Sequence, residues 1–142
     1  MKRMIYILLG ICILLSIQCD WLGTGGTPQP RLSLFIGMDI SGSFIHSEYF
    51  DDAIDFMAHY LYAHMNGYGD LEVPNVLFVG SIGGAKANEP KTFYPMQTFM
   101  NKSVEEIAEK LREIFPKDEI NPFTDYNAFF QQIALTVKKL FL

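Results

Sequence analysis

The chain has 142 residues, 49% of them apolar and 14% aromatic, with a formal net charge of −5. This composition excludes an intrinsically disordered chain, and the length allows no more than one ordinary domain. The acidic balance argues against binding a nucleic-acid backbone, which depends on clustered Lys and Arg. The first predicted element is residues 1–18: a cationic start at Lys2 and Arg3, then an apolar stretch from Met4 to Ile17. That stretch is too short for the ~20 residues a bilayer-spanning helix needs. It fits a secretory signal peptide. Two positive charges leave with it, so the remainder carries −7 rather than −5.

Cys12 and Cys19 are the only cysteines, and no disulfide framework can be drawn from them. Cys12 lies within the apolar stretch and leaves with the signal. Leu15, Ser16, Ile17 and Gln18 before Cys19 resemble the end of a bacterial lipoprotein signal, in which the cysteine becomes the lipidated first residue. That resemblance implies export and a lipid anchor on Cys19, holding the protein to the bacterial cell membrane on its periplasmic or extracellular face. The alternative is an ordinary secretory signal with an incidental cysteine. Residues 19–31 read as the anchor cysteine and a Gly- and Pro-rich flexible linker that holds a domain off the membrane.

The folded part is predicted over 32–142. Residues 32–39 (LSLFIGMD) form an apolar run without alternation, as in a strand covered on both faces. From Phe44 to Met65, apolar residues Tyr49, Phe50, Ala53, Ile54, Met57, Tyr60 and Leu61 recur at three- and four-residue steps. One helix is predicted there, ending before Asn66 and Gly67. Residues 76–80 (VLFVG) form a second buried strand, the following SIGGAKANEPK a loop, and 92–99 (TFYPMQTF) a third strand, confined to an edge by Pro95. Ser103 with Glu106 makes a capping box for a helix with the stripe Val104, Ile107, Ala108, Leu111 and Phe115, stopped by Pro116. A last helix is predicted from Thr124 to the end, with Tyr126, Phe129, Phe130, Ile133, Ala134, Val137 and Phe141 as its core side. This order of elements predicts an α/β layered fold.

The pattern that points to chemistry is Asp39-Ile40-Ser41-Gly42-Ser43, between the first buried strand and the first helix. A carboxylate and two hydroxyls at i, i+2 and i+4 across such a turn suit a hard cation. Ligands of open α/β sheets also bind outside the carboxyl ends of the strands. The segment FIGMDISGSF resembles the D-x-S-x-S signature of von Willebrand factor A domains, which form a metal-ion-dependent adhesion site. In NPFTDYNAFF, Thr124 stands where that family places its next ligand, with Asn127 and Ala128 behind it.

The resemblance spans about 110 residues and implies a three-layer Rossmann-like fold. It implies a metal site of Asp39, acting largely through bound water, with Ser41, Ser43 and Thr124. The cofactor it implies is Mg²⁺, with Mn²⁺ or Ca²⁺ as substitutes. A protein partner would complete the coordination with a carboxylate. Family members continue after this helix into a further strand with an aspartate, often Thr-Asp-Gly, whereas this sequence ends at Leu142. The resemblance therefore implies a partial domain, truncated after the third helix or completed by another chain. Its first strand would be an unpaired apolar edge open to self-association.

Competing readings are a metal-free remnant or a subunit pairing through its open sheet edge. DISGS also resembles the D-x-D-G-T loop of haloacid-dehalogenase-like phosphatases. Ser41 stands there in place of the general acid–base aspartate, so leaving-group protonation lacks its donor. Catalysis is not expected, because no nucleophile–base pair is visible. His46, His59 and His64 invite a zinc site, but His59 and His64 do not share a helix face and no H-E-x-x-H occurs. GSIGG lacks the Lys-Ser/Thr end of a phosphate loop. Asp125 is read as a charge complementing the helix dipole, and Thr124 has helix capping as its bland role.

Overall fold

A computed structural model describes residues 31–118 and 122–141, all within one compact unit, Arg31–Leu142. The signal, Cys19 and the linker to Pro30 lie outside the described residues. The elements in order are β1 (Ser33–Met38), α1 (Gly42–Ile45), α2 (Tyr49–Asn66), β2 (Val76–Ser81), β3 (Gly83–Gly84), β4 (Phe93–Pro95), α3 (Val104–Ile114), β5 (Phe123–Thr124) and α4 (Tyr126–Phe141). Helices with a small mixed sheet make this an α/β fold. No described helix is long and apolar enough to cross a membrane.

The sheet order is β1-β2-β4, with β1 parallel to β2 and β4 antiparallel at the edge. The register Leu34↔Leu77, Ile36↔Val79 and Val79↔Tyr94 puts those side chains on one face. They meet the buried stripes of α2 (Phe50, Ile54, Ala58, Leu61) and α3 (Ile107, Ala108, Leu111), which form one core with Leu77, Val79 and Phe99. The other face is aromatic. Phe35 stacks on Phe78 with ring centroids 5.3 Å apart, and Phe129 meets Phe93 edge-on at 5.5 Å.

Several expected elements are corrected. The single helix over 44–65 is two, broken at 46–48, where the Ser47 hydroxyl donates to the Phe44 carbonyl at 2.6 Å and competes with the helical ladder. Tyr49, placed on the core side, is exposed. The helix runs through Asn66 and stops at Gly67, whose φ of 65° supplies the left-handed cap. The strand over 92–99 shrinks to Phe93–Pro95, since Pro95 has no N–H to continue the ladder, and a 3₁₀ turn follows at Met96–Thr98. The capping box is present in full: Ser103 Oγ accepts from the Glu106 amide and Glu106 accepts from the Ser103 amide.

The largest correction concerns α4, which starts at Tyr126 rather than Thr124 and buries only Ala128 and Phe129. Tyr126, Phe130, Ala134 and Val137 are exposed and Ile133 is half-buried; the side chain of Phe141 lies outside the described residues. Helical periodicity marks a face able to be buried, but burial needs a surface opposite it. Here the sheet ends at β1, which has no second strand neighbour among the described residues.

Candidate functional site

Asp39 leaves the carboxyl end of β1, where the buried Met38 and Ile40 on either side fix its backbone. Its Oδ1 accepts a hydrogen bond from the Ser41 amide at 2.9 Å, which closes the turn. Ser41 then stands at the N-cap of α1 without a side-chain capping bond, and its hydroxyl meets that of Ser43 instead. The Ser41 and Ser43 hydroxyl oxygens lie 3.3 Å apart. Asp39 and Ser41 are half-buried and Ser43 is exposed, so this group of oxygens opens to solvent.

Thr124 arrives from far along the chain. Its hydroxyl donates to the same Asp39 Oδ1 at 3.4 Å, across 85 positions of sequence. The structure thus brings together all four predicted oxygen-bearing residues, Asp39, Ser41, Ser43 and Thr124. Cys19 lies outside the described residues.

The predicted GSIGG loop is the part that delivers Thr124. Gly83 and Gly84 form β3, which pairs antiparallel with β5 in the register Gly83↔Thr124 and Gly84↔Phe123. The Ile82 amide donates to the Met38 carbonyl at 2.9 Å, tying this ribbon to the end of β1. Two residues of glycine carry no periodicity, so no sequence signal marked them as a strand.

Asp125 does more than complement a dipole. Its Oδ1 accepts from the Ala128 amide at 2.9 Å, the N-cap bond of α4, so Asp125 and not Thr124 caps this helix. Its Oδ2 accepts from the Asn88 amide at 2.8 Å, and its own amide donates to the Ile82 carbonyl at 3.3 Å. One side chain therefore pins the helix start and the 85–91 loop beside Thr124. The Asp-before-helix pattern was available in the sequence, but the partner Asn88 was not.

The Ala128 and Asn88 amides, with a smaller contribution from the Lys91 charge, hold the Asp125 carboxyl below the ordinary aspartate range. A depressed folded-state value stabilises the protein above the unfolded value of about 3.9. The contribution is lost as pH falls through the lower folded-state value. Asp125→Ala should accordingly lower the melting temperature at pH 7 by more than at pH 2.5, measured by circular dichroism. A pH-independent difference would contradict the assignment.

The histidines do not join the site. His46 is exposed, His59 Nδ1 lies 2.9 Å from the Asp55 carbonyl, and the buried His64 has Nδ1 3.3 Å from the Glu72 carbonyl. Among the described residues no three His, Cys, Asp or Glu side chains are grouped to hold a metal. A cation at the strand-end turn would therefore rest on one carboxylate, hydroxyls and water. Compared with protein-family models, with curated proteins and with solved structures, the chain gives no match.

Proposed function

We propose that the turn at 39–43 and Thr124 bind a divalent cation, Mg²⁺ foremost, through which the protein contacts a partner's carboxylate. The reading takes the chain as a von Willebrand factor A-like, Rossmann-like binding module. It takes the protein as exported and held to a bacterial membrane by lipid on Cys19. Asp39 would act largely through bound water, and Ser41, Ser43 and Thr124 as direct oxygen ligands. No catalytic step is part of it.

One observation carries the reading: the hydroxyl of Thr124 reaches Asp39 Oδ1, although the two are remote in sequence. The spacings also suit a cation. Ligand oxygens at right angles about a metal are separated by about 2.9 Å for Mg²⁺ and about 3.3–3.7 Å for Ca²⁺. The 3.3 Å between the Ser41 and Ser43 hydroxyls, both direct ligands in this reading, falls in the second range and needs to close only slightly for the first. A neighbouring carboxylate from a partner suits a site with a single protein carboxylate, whose charge leaves a divalent ion under-neutralised.

Isothermal titration of the purified protein with Mg²⁺ and Mn²⁺ tests this. Saturable heat is expected from the wild type and none from Asp39→Ala. Equal heats from both proteins, or none from either, would end the reading.

A second reading is favoured by the edge of β1, which has no second strand neighbour among the described residues, and by the exposed apolar side of α4. In it the protein is a metal-free subunit that pairs through its sheet edge. Six strand residues without a charge or a proline, Ser33–Met38, lack the usual devices that protect an edge. Concentration-dependent dimers in cation-free buffer, with no Mg²⁺ heat, are what this alternative expects.

A further inference from the structure

Among the described residues no strand lies against the outer edge of β1. Leu32 and Met38 give their carbonyls to the amides of Asn75 and Ile82, each at 2.9 Å, so the even positions turn their backbone groups toward the β2 segment. Backbone groups alternate between the two sides of a strand, so Ser33, Phe35 and Gly37 direct theirs to the outer edge. The other edge of the sheet, β4, is short and carries Pro95, which guards it against further pairing.

Three features suit the outer edge of β1 to a second copy of the same strand. The first is register. Antiparallel strands exchange two bonds at each directly opposed pair of outward residues. With Phe35 opposite Phe35 on a two-fold axis, Ser33 and Gly37 face one another and all three outward residues are used. Sliding the strands leaves one of them without a partner in β1. The second is charge. In that same register Arg31 stands opposite Asp39 of the second copy, at both ends of the joint. Arg31 is exposed and enters no ion pair among the described residues. Asp39 uses Oδ1 for Ser41 and Thr124, which leaves Oδ2 for the guanidinium. The third is helix α2. Asp51 and Asp55 meet Lys117 and Arg112 on its α3 side, and α3 lies toward β4, where Phe115 meets Tyr94 edge-on at 6.5 Å. At 3.6 residues per turn, Tyr49 and Tyr60 fall on the opposite side of α2, beyond β1. The exposed Phe56 stacks on Tyr60 there, with ring centroids 6.0 Å apart.

We propose that two copies of this chain pair β1 with β1, antiparallel and centred on Phe35, joining their three-stranded sheets into one. The dimer rests on the edge-pairing reading above, naming a second copy as the partner and fixing the register. A two-fold axis normal to the sheet keeps both α2 helices on one face and brings their aromatic sides together. On the other face, Phe35 meeting Phe35 makes a cross-strand aromatic pair. The contact is isologous and uses the edge of each copy once, so association stops at two.

Sedimentation equilibrium of the purified protein over a range of concentrations tests this. The buffer is freed of divalent cations, because a cation on Asp39 would face Arg31 of the other copy. A monomer–dimer equilibrium is expected from the wild type. Ser33→Pro removes an outward N–H and leaves the bonds to β2 intact, and should weaken the dimer about tenfold. Arg31→Asp and Asp39→Arg each set like charges opposite one another and should weaken it at least about tenfold. Mixed one to one, these two variants should regain the dimer, because every Asp then faces an Arg. A monomeric wild type, or dimers indifferent to Ser33→Pro, would end the edge-pairing reading and the proposal together. Dimers weakened by Ser33→Pro without recovery in the mixture would keep edge pairing and overturn the register proposed. Should the variants not fold, amide exchange of the wild type by NMR takes their place. Raising the concentration should slow exchange at Ser33, Phe35 and Gly37, while Leu34, Ile36 and Met38 are slow throughout. No slowing at the three odd positions overturns the proposal.

Discussion

Phe50→Ala is expected to destabilise the protein by about 3–5 kcal/mol, as large-to-small changes at well-packed aromatic positions do. Phe50 is fully buried where α2 begins, with the Phe44 ring edge-on at 6.0 Å and Lys117 Nζ 5.5 Å from its ring centre. Removing the ring discards its transfer free energy and leaves a cavity between α1, α2 and the end of α3. Domains are usually stable by only about 5–15 kcal/mol, so the loss is a large fraction of the whole. The effect should extend to the site, because Phe44 belongs to α1, which begins at the turn bearing Ser41 and Ser43. Urea unfolding followed by circular dichroism measures it: the midpoint falls while the slope is unchanged. A loss below about 1 kcal/mol would show that the position is not packed as described.

Gly80→Val is expected to have a comparable effect by the opposite route. A Cβ at Gly80 would lie 2.5 and 2.8 Å from two carbons of the Phe93 ring and 2.8 Å from the Thr92 carbonyl oxygen. The ring can turn aside, but the carbonyl belongs to the backbone that leads into β4. Gly80 and Phe93 are direct register partners, so separating them breaks the β2–β4 pairing. Overpacking of this kind costs about 1–3 kcal/mol and more when backbone must move. Combining it with Phe93→Ala should restore only part of the loss, since the Thr92 carbonyl remains in the way. Thermal melts of the two single variants and the double variant test this. Full restoration would show that only the ring clash mattered.

The exposed ion pairs that α2 makes with α3 and with the segment just after it are a weaker source of stability. Arg112 meets Asp55 and Lys117 meets Asp51, each at 2.7 Å. Pairs this open to solvent contribute little beyond orienting the two helices.

Much of this architecture is legible in the residues. The apolar runs at 32–39 and 76–80 mark strands because they are too short for helices, although β1 is only half-buried from Ser33 to Gly37. The Ser103–Glu106 pair fixes where α3 begins because capping is local chemistry. Asp39, Ser41 and Ser43 could be singled out because a five-residue turn has few ways to aim its side chains. Each of these judgements depends on neighbours within one or two turns of chain.

What the sequence by itself determined is therefore the set of local elements and the oxygen-rich turn after the first strand. The tertiary structure alone decided three things: that Gly83 and Gly84 pair with Phe123 and Thr124, that Asp125 ties the 85–91 loop to α4, and that most of the apolar side of α4 is left exposed. All three are contacts between segments far apart in the chain. Periodicity and capping register what a segment is able to bury or bond, and only the packed chain supplies the surface or the partner on the other side.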